Sequence, residues 1–273
     1  MRQDERTRYD QALRTARMAA YPPGEYVEQE SFMRAGEIRS LARRAGVGPG
    51  VSVLDLCCGV AGPGRLITAE LGCTYLGVDL DDNAIELARD RTRATGLSCR
   101  FEVREIPPVP SGPFDVVLLL ETMLAFRDKE TLLREVSTAL VPGGLFAFTV
   151  EEGQPLTEAE QEAMPDADTV WPIPLTELVG RLSSVGLEVG WIQECSRSHR
   201  LVADALIAAF LAERPAIEAE LGDGALDDLL AAHRLWRDWM ATGRVRKYAI
   251  VAVKTDGRRA EGERRRGWFR SSR

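Results

Sequence analysis

Seven short apolar runs divide the chain, at residues 51–56, 74–79, 98–103, 114–120, 145–150, 187–193 and 248–253. Each is bounded by glycine, proline or polar clusters and is too short for a helix, so each predicts a β-strand. The run from Phe114 to Leu120 is almost uninterrupted, as expected of a strand covered on both faces. Between the runs, apolar residues recur every three or four positions, which predicts helices over about 64–71, a stretch capped by Asp82 or Asn83 and ending near Gly96, 129–140, and 175–185. Strand and helix alternating in this way imply right-handed crossovers and a mainly parallel sheet with helices on both faces.

The remaining periodic segments lie outside that alternation. A polar helical stretch over 4–20 is stopped by Tyr21-Pro22-Pro23-Gly24, and a second, over 25–45, places Tyr26, Phe32, Met33, Ile38 and Leu41 on one helical face. These form an N-terminal cap, residues 1–46, available to pack on the sheet or to cover a substrate. Between the last two strands about fifty residues intervene, too many for a loop. Leu201, Ala205, Ala208, Phe210 and Leu211, then Leu226, Leu229, Leu230, Leu235, Trp236 and Trp239, mark two or three amphipathic helices there. The expected organisation is a core of 47–194 plus 247–255, a helical lid at 195–246 inserted before the last strand, and a tail at 256–273.

Composition narrows the options. The chain of 273 residues carries a net charge of −7, but 257–273 holds seven arginines against two glutamates, leaving the rest at −12. An acidic body argues against nonspecific nucleic-acid binding, and a basic end without apolar period predicts a solvated, mobile tail. No run is long enough to cross a bilayer and the first ten residues are not signal-like, so a cytoplasmic protein is expected. Five cysteines with no CxxC spacing predict small buried residues and no metal site.

The candidate chemistry begins at residues 51–66. Asp55 falls near the carboxyl end of the first strand, where open α/β sheets bind ligands, and Gly59, Gly62 and Gly64 would let main chain approach one closely before the next helix. Asp79 lies twenty residues beyond Gly59, about where a dinucleotide fold keeps its ribose-binding acid, so two nucleotide readings compete. The glycine pattern separates them, because a dehydrogenase wants G-x-G-x-x-G and this chain has Gly59-x-x-Gly62-x-Gly64.

These residues resemble the class I S-adenosylmethionine-dependent methyltransferases, in particular the small-molecule branch. Asp55 to Gly62 is similar to that family's D-x-G-x-G-x-G loop, with Cys57 and Ala61 where glycines are usual. Leu76-Gly77-Val78-Asp79 resembles the second motif, whose acid holds the ribose hydroxyls. Phe101 to Glu105 resembles the third, whose acid accepts from the adenine amino group, and Phe114-Asp115 through Glu121 and Leu140 to Leu145 resemble the fourth and fifth. The resemblance implies S-adenosyl-L-methionine as cofactor, held by Asp55, Cys57, Gly59, Gly62, Asp79, Leu80, Glu105, Ile106 and Leu120. It also implies a Rossmann-like seven-stranded sheet whose last strand is antiparallel.

Methyl transfer is an in-line displacement in which a protein mainly positions the reactants and excludes water, so a base is needed only when the acceptor must lose a proton. Glu121 is the first candidate for that base or for positioning the acceptor. Branches that methylate carbon carry a stretch resembling Glu-x-x-x-His there; this chain has Glu121-Thr122-Met123-Leu124-Ala125, without the histidine. His233 is the second candidate, sharing a helix face with Trp236, Arg237 and Met240, and His199 ranks below it. Trp236, Trp239, Tyr21, Tyr26 and Gln29 suit either a pocket wall or plain packing.

The expected activity is methyl transfer to a small organic acceptor of specialised metabolism, on carbon, oxygen or nitrogen. The alternative is a non-catalytic domain that binds the cofactor or its product as a sensor or partner subunit. RNA or protein methylation is disfavoured by the acidic body and the absence of an Asn/Asp-Pro-Pro-Tyr type motif after the fourth strand. Expected partners are the acceptor and, at most, a second copy in a homodimer, with neither nucleic acid nor membrane.

Overall fold

A computed structural model of the chain describes residues 11–165 and 167–255. Helices α1 (Gln11–Ala20) and α2 (Ala35–Arg44) precede β1 (Ser52–Leu56), α3 (Gly62–Leu71), β2 (Thr74–Asp79), α4 (Asp82–Thr95), β3 (Cys99–Val103) and β4 (Phe114–Leu119). After these come α5 (Lys129–Ala139), β5 (Leu140–Glu152), α6 (Glu158–Ala163), α7 (Leu175–Ser184) and β6 (Leu187–Glu194). The chain then runs through α8 (Ser196–Ala212), α9 (Arg214–Leu221) and α10 (Asp227–Thr242) into β7 (Arg246–Lys254). The strands form one sheet in the order β3-β2-β1-β4-β5-β7-β6, with β7 antiparallel to both its neighbours, as the family resemblance implies.

Alternation along each strand makes two cores. Leu54, Leu56, Leu76 and Val78 face Leu132, Leu133 and Val136 of α5 and Leu178 and Leu182 of α7. On the opposite face Val53, Tyr75, Val116 and Leu118 meet Ile38 and Leu41 of α2, Ile67 of α3 and Ile85 of α4. A third core joins Leu13 and Ala16 of α1 to Val202, Leu206 and Phe210 of α8, and to Ile217, Leu226 and Leu230. The leading segment therefore divides, α1 packing with the inserted helices and α2 with the sheet.

Three expectations of local structure change. The helix over 25–45 is helical only from Ala35; residues 21–34 form an irregular strap. Glu28 sits in the left-handed region at φ 65°, and the Gln29 side chain satisfies the strap's own main chain, accepting from the Val27 amide and donating to the Glu25 and Met33 carbonyls. The strap is anchored by Glu28, which pairs with Arg14 of α1, Arg65 of α3 and Arg91 of α4. Second, the cap of α4 is Asp81, whose carboxylate accepts from the amides of Asn83 (2.9 Å) and Ala84 (3.3 Å), one residue earlier than expected. Third, β7 starts at Arg246, two residues before the apolar run, and so contains Lys247. The arginine-rich segment 256–273 lies outside the described residues.

Two of the loop glycines serve packing. A methyl group at Gly62 would stand 1.8 Å from the Val27 carbonyl oxygen, and one at Gly64 would stand 2.1 Å from the Tyr75 hydroxyl. The close approach at Gly62 is to the strap, which gives this glycine a packing role of its own. Gly62→Ala and Gly64→Ala should each destabilise the protein by about 1–3 kcal/mol in urea unfolding. Gly180, mid-helix in α7 with open space around it, provides the contrast: Gly180→Ala should stabilise by about 0.5–1 kcal/mol. Equal responses at Gly62 and Gly180 would contradict the packing described.

Candidate active site

The carboxyl ends of β1, β2 and β4 open into a cavity of about 720 Å³, roofed by Glu28 to Ser31 of the strap. Asp55 is buried on its floor, accepting a 2.6 Å bond from the Tyr75 hydroxyl. Burial raises its pKa to about 7, against the effect of Tyr75 and helped by the charge of Asp79. The loop that follows takes the left-handed conformation at Cys57 (φ 56°), Gly59 (φ 54°) and Ala61 (φ 55°). Cys57 and Ala61 thus keep the backbone of the glycines they replace, at a cost of order 1–2 kcal/mol each. Burial, then the Asp79 charge, pushes the Cys57 thiol up to about 12, so it is no nucleophile near neutrality. Asp79 accepts from the amides of Gly59 (2.8 Å) and Asp81 (3.0 Å), tying β2 to the loop.

The sequence-selected residues do not all converge. Asp55, Cys57, Gly59, Asp79, Leu80, Ile106, Leu120 and Glu121 line this cavity; Gly62 and Glu105 do not. Glu105 is exposed, while its neighbours Arg104 and Ile106 form the wall. Leu80 is 72% exposed, an unusual state for a leucine and one that leaves an apolar surface at the cavity's edge.

A second cavity, of about 630 Å³, lies beneath the inserted helices. Leu13, Phe32, Leu206, Leu229 and Trp236 give it an apolar wall, and Glu121, Glu151 and Lys247 are among its polar residues. The two cavities share Gln29, Glu30, Ser31, Glu121 and Leu124.

At that shared wall Glu121 adopts φ 59°, with its amide bonded to the buried Thr149 hydroxyl (2.6 Å). Its carboxylate pairs with Lys247 at 2.6 Å, and Lys247 pairs with Glu151 at 2.7 Å. Burial alone would raise the pKa of Glu121, but the Lys247 ammonium overcomes it and holds the carboxyl below its ordinary range. Burial likewise opposes the charge on Lys247, and the two glutamates outweigh it.

His233 lines the second cavity, edge-on to Phe32 and Phe210. Its Nδ1 lies 2.7 Å from the Leu229 carbonyl, which only accepts, so Nδ1 carries the proton and Nε2 the lone pair. Burial lowers its pKa to about 4, so it is neutral near pH 7. Sequence reasoning missed Lys247, Glu151 and the strap residues Glu28, Glu30 and Ser31. The available signal was a glutamate at the end of one apolar strand run and a lysine at the start of another; their pairing across β5 and β7 is a matter of register.

Among the described residues no cluster of three or more His, Cys, Asp or Glu is placed to hold a metal, and no helix is long and apolar enough to cross a membrane.

Comparison with known proteins agrees with this geometry. A family profile described as a methyltransferase domain matches residues 53–144. Methyltransferase GfsG of Streptomyces halstedii is 34% identical over 44% of this chain and 45% of its own length. The sterol 24-C-methyltransferase of Pneumocystis carinii is 26% identical over 59% of this chain and 44% of its own. The chain thus spans less than half the length of these two curated relatives. Among solved structures, phosphoethanolamine N-methyltransferase 2 of Haemonchus contortus superposes with a TM-score of 0.77 at 19% identity, covering 92% of this chain and 59% of that one. Cyclopropane synthase MmaA2 of Mycobacterium tuberculosis gives 0.78 at 14% identity, covering 92% and 97%. Strand order, strand-end acids and the domain match agree: residues 53–144 are a methyltransferase domain of the class I S-adenosylmethionine-dependent type.

Proposed function

We propose that this protein transfers a methyl group from S-adenosyl-L-methionine to a small, largely apolar organic acceptor. The observation that carries the reading is the pair of cavities meeting at one wall of Gln29, Glu30, Ser31, Glu121 and Leu124. Such an arrangement brings two ligands end to end, as group transfer by positioning requires. A sensor domain has no need of the second cavity.

The first cavity fits the cofactor. Asp79 has accepted two amides and a carboxylate offers about four acceptor positions, so capacity remains for the ribose hydroxyls. Leu80 and Ile106 offer apolar surface to an adenine, and the position of a Gly59 side chain is open space, so main chain there is accessible to a ligand. When bound, the cofactor supplies a methyl group on a sulfonium sulfur. The protein's own part is to seat both ligands, exclude water beneath the strap and inserted helices, and receive any proton the acceptor gives up.

Both cations in the second cavity's wall are engaged, Arg17 with Glu30 (3.0 Å) and Lys247 with Glu121 and Glu151. With its apolar wall, this favours a neutral or cationic acceptor over a phosphate or carboxylate. Neutral His233 and Glu121 are among the side chains lining this cavity that can take a proton.

Three outcomes check the reading. Asp79→Ala should weaken S-adenosylmethionine binding at least about tenfold by calorimetry, the loss of one charged hydrogen-bond acceptor; near-normal affinity refutes the ribose role. With an acceptor identified by incubating metabolite extracts with methyl-labelled cofactor, Glu121→Gln should leave cofactor affinity intact and lower turnover about 10²-fold or more; unchanged turnover removes Glu121 from the chemistry. The third concerns Asp55, whose pKa is raised on folding, so the folded state holds the proton that the unfolded chain releases first, and stability drains away as pH rises from about 4 to about 7. The stability difference between wild type and Asp55→Asn should therefore move against the wild type across that window in denaturant titrations, and a constant difference would show that Asp55 ionises normally.

A further inference from the structure

His199, near the amino end of α8, is fully buried, and neither ring nitrogen has a hydrogen-bond partner. Its two edges face two carboxylates. Nδ1 lies 3.8 Å from Glu121 Oε1, itself buried and unpartnered, and Nε2 lies 3.7 Å from Glu37 Oε2. Glu121 belongs to both cavities, whereas the Glu37 side chain is 27% exposed and reaches solvent on the far side. Buried polar atoms are rarely left unpaired, and three in line between a reaction cavity and the surface call for an explanation.

We infer that Glu121, His199 and Glu37 form a proton outlet, carrying the proton released by the acceptor from the wall between the two cavities to bulk water. The inference rests on the methyl-transfer reading and applies to an acceptor whose attacking atom bears hydrogen. As the new bond to methyl forms, the acceptor's bond to hydrogen breaks and its electron pair stays on the attacking atom. The proton goes to Glu121 Oε1, from there to His199 Nδ1, while the hydrogen on Nε2 passes to Glu37 Oε2 and then to water. The ring ends in its other tautomer, and rotation or a second relay resets it. At rest a lone pair on Nδ1 would face the carboxylate of Glu121, which accounts for their separation. A proton between them would convert that repulsion into a hydrogen bond, and such contacts commonly shorten once ligands are seated.

The other charged groups facing His199 are Lys247 from β7, held by its two glutamates, and Arg34 just before α2. Glu37 also serves as the third residue of the α2 capping box, accepting from the Arg34 amide at 2.8 Å, and accepts from the Ser198 hydroxyl at 2.6 Å. Glutamine keeps a capping box but cannot pass a proton, so Glu37→Gln separates the structural role from the proposed one.

The chain has only two histidines, which makes the test direct. In the full chain labelled with ¹⁵N-histidine, and with peaks assigned through His233→Gln, exchange of each ring N–H with water is measured by NMR. The His199 N–H should exchange at least about tenfold faster than that of His233, although both rings are buried, because Glu37 acts as its local base. Glu37→Gln should slow His199 about tenfold or more without touching His233, and Glu121→Gln, at the inner end, should leave it fast. Glu37→Asp, whose shorter carboxylate retreats from the ring, should fall between and serves if the glutamine variant does not fold. Slow exchange at His199 in the wild type, or equal rates in wild type and both Glu37 variants, overturns the outlet. Calorimetry with S-adenosylmethionine on the same samples tells the two readings apart: absent binding sinks methyl transfer whatever the exchange rates show.

Discussion

One ammonium group between two buried carboxylates organises the region where the two cavities meet. Lys247 comes from β7, Glu151 from β5 and Glu121 from the turn after β4, so the ion cluster ties together three strands at the carboxyl edge of the sheet. Removing three charges from water costs several kcal/mol per ion, and their mutual attraction offsets this only when geometry is good and partners are complete. Here one oxygen each of Glu121 and Glu151 stays unpartnered, and two negative charges share one positive. A hydrophobic replacement would serve the fold at least as well. The arrangement therefore makes sense as equipment of the site, where a carboxylate must stay charged although buried.

The strap solves a different problem. A cofactor cavity at the edge of an open sheet is exposed to water unless something crosses it, and residues 21–34 cross it without regular structure. Their main chain is satisfied by Gln29, and their position is held by Glu28 through arginines from three helices. Gly62 lets α3 come up against the strap's carbonyl, closer than any side chain permits. The roof of one cavity and the wall of the other are thus the same few residues. The strap sets the geometry of transfer as much as the strand ends do.

What was legible in the sequence follows from which interactions are local. Strand runs, helical periods and the strand-end acids Asp55 and Asp79 depend on neighbours within a few residues, so the sheet, its helices and the first cavity could be read directly. The left-handed backbone at Cys57 and Ala61 came from the structure, since side-chain identity at these positions gives no sign of it. Position in a motif alone was a weaker guide. Glu105 falls where a motif acid is expected but lies two residues beyond the end of β3 and is exposed beside the cavity.

The sequence by itself determined the α/β alternation, the inserted helices and the acid-and-glycine chemistry of the strand ends, since periodicity and turn composition encode these within single elements. Only the tertiary structure decided that α1 joins the insertion while α2 joins the sheet, that residues 25–34 abandon the helix their apolar spacing suggests, and that Lys247 meets Glu121 from 126 residues away. It also brought His199 between two carboxylates, making it more conspicuous than His233. Those are pairings across strands and between distant helices, and they are fixed by register and packing. No local pattern specifies which buried charge will face which.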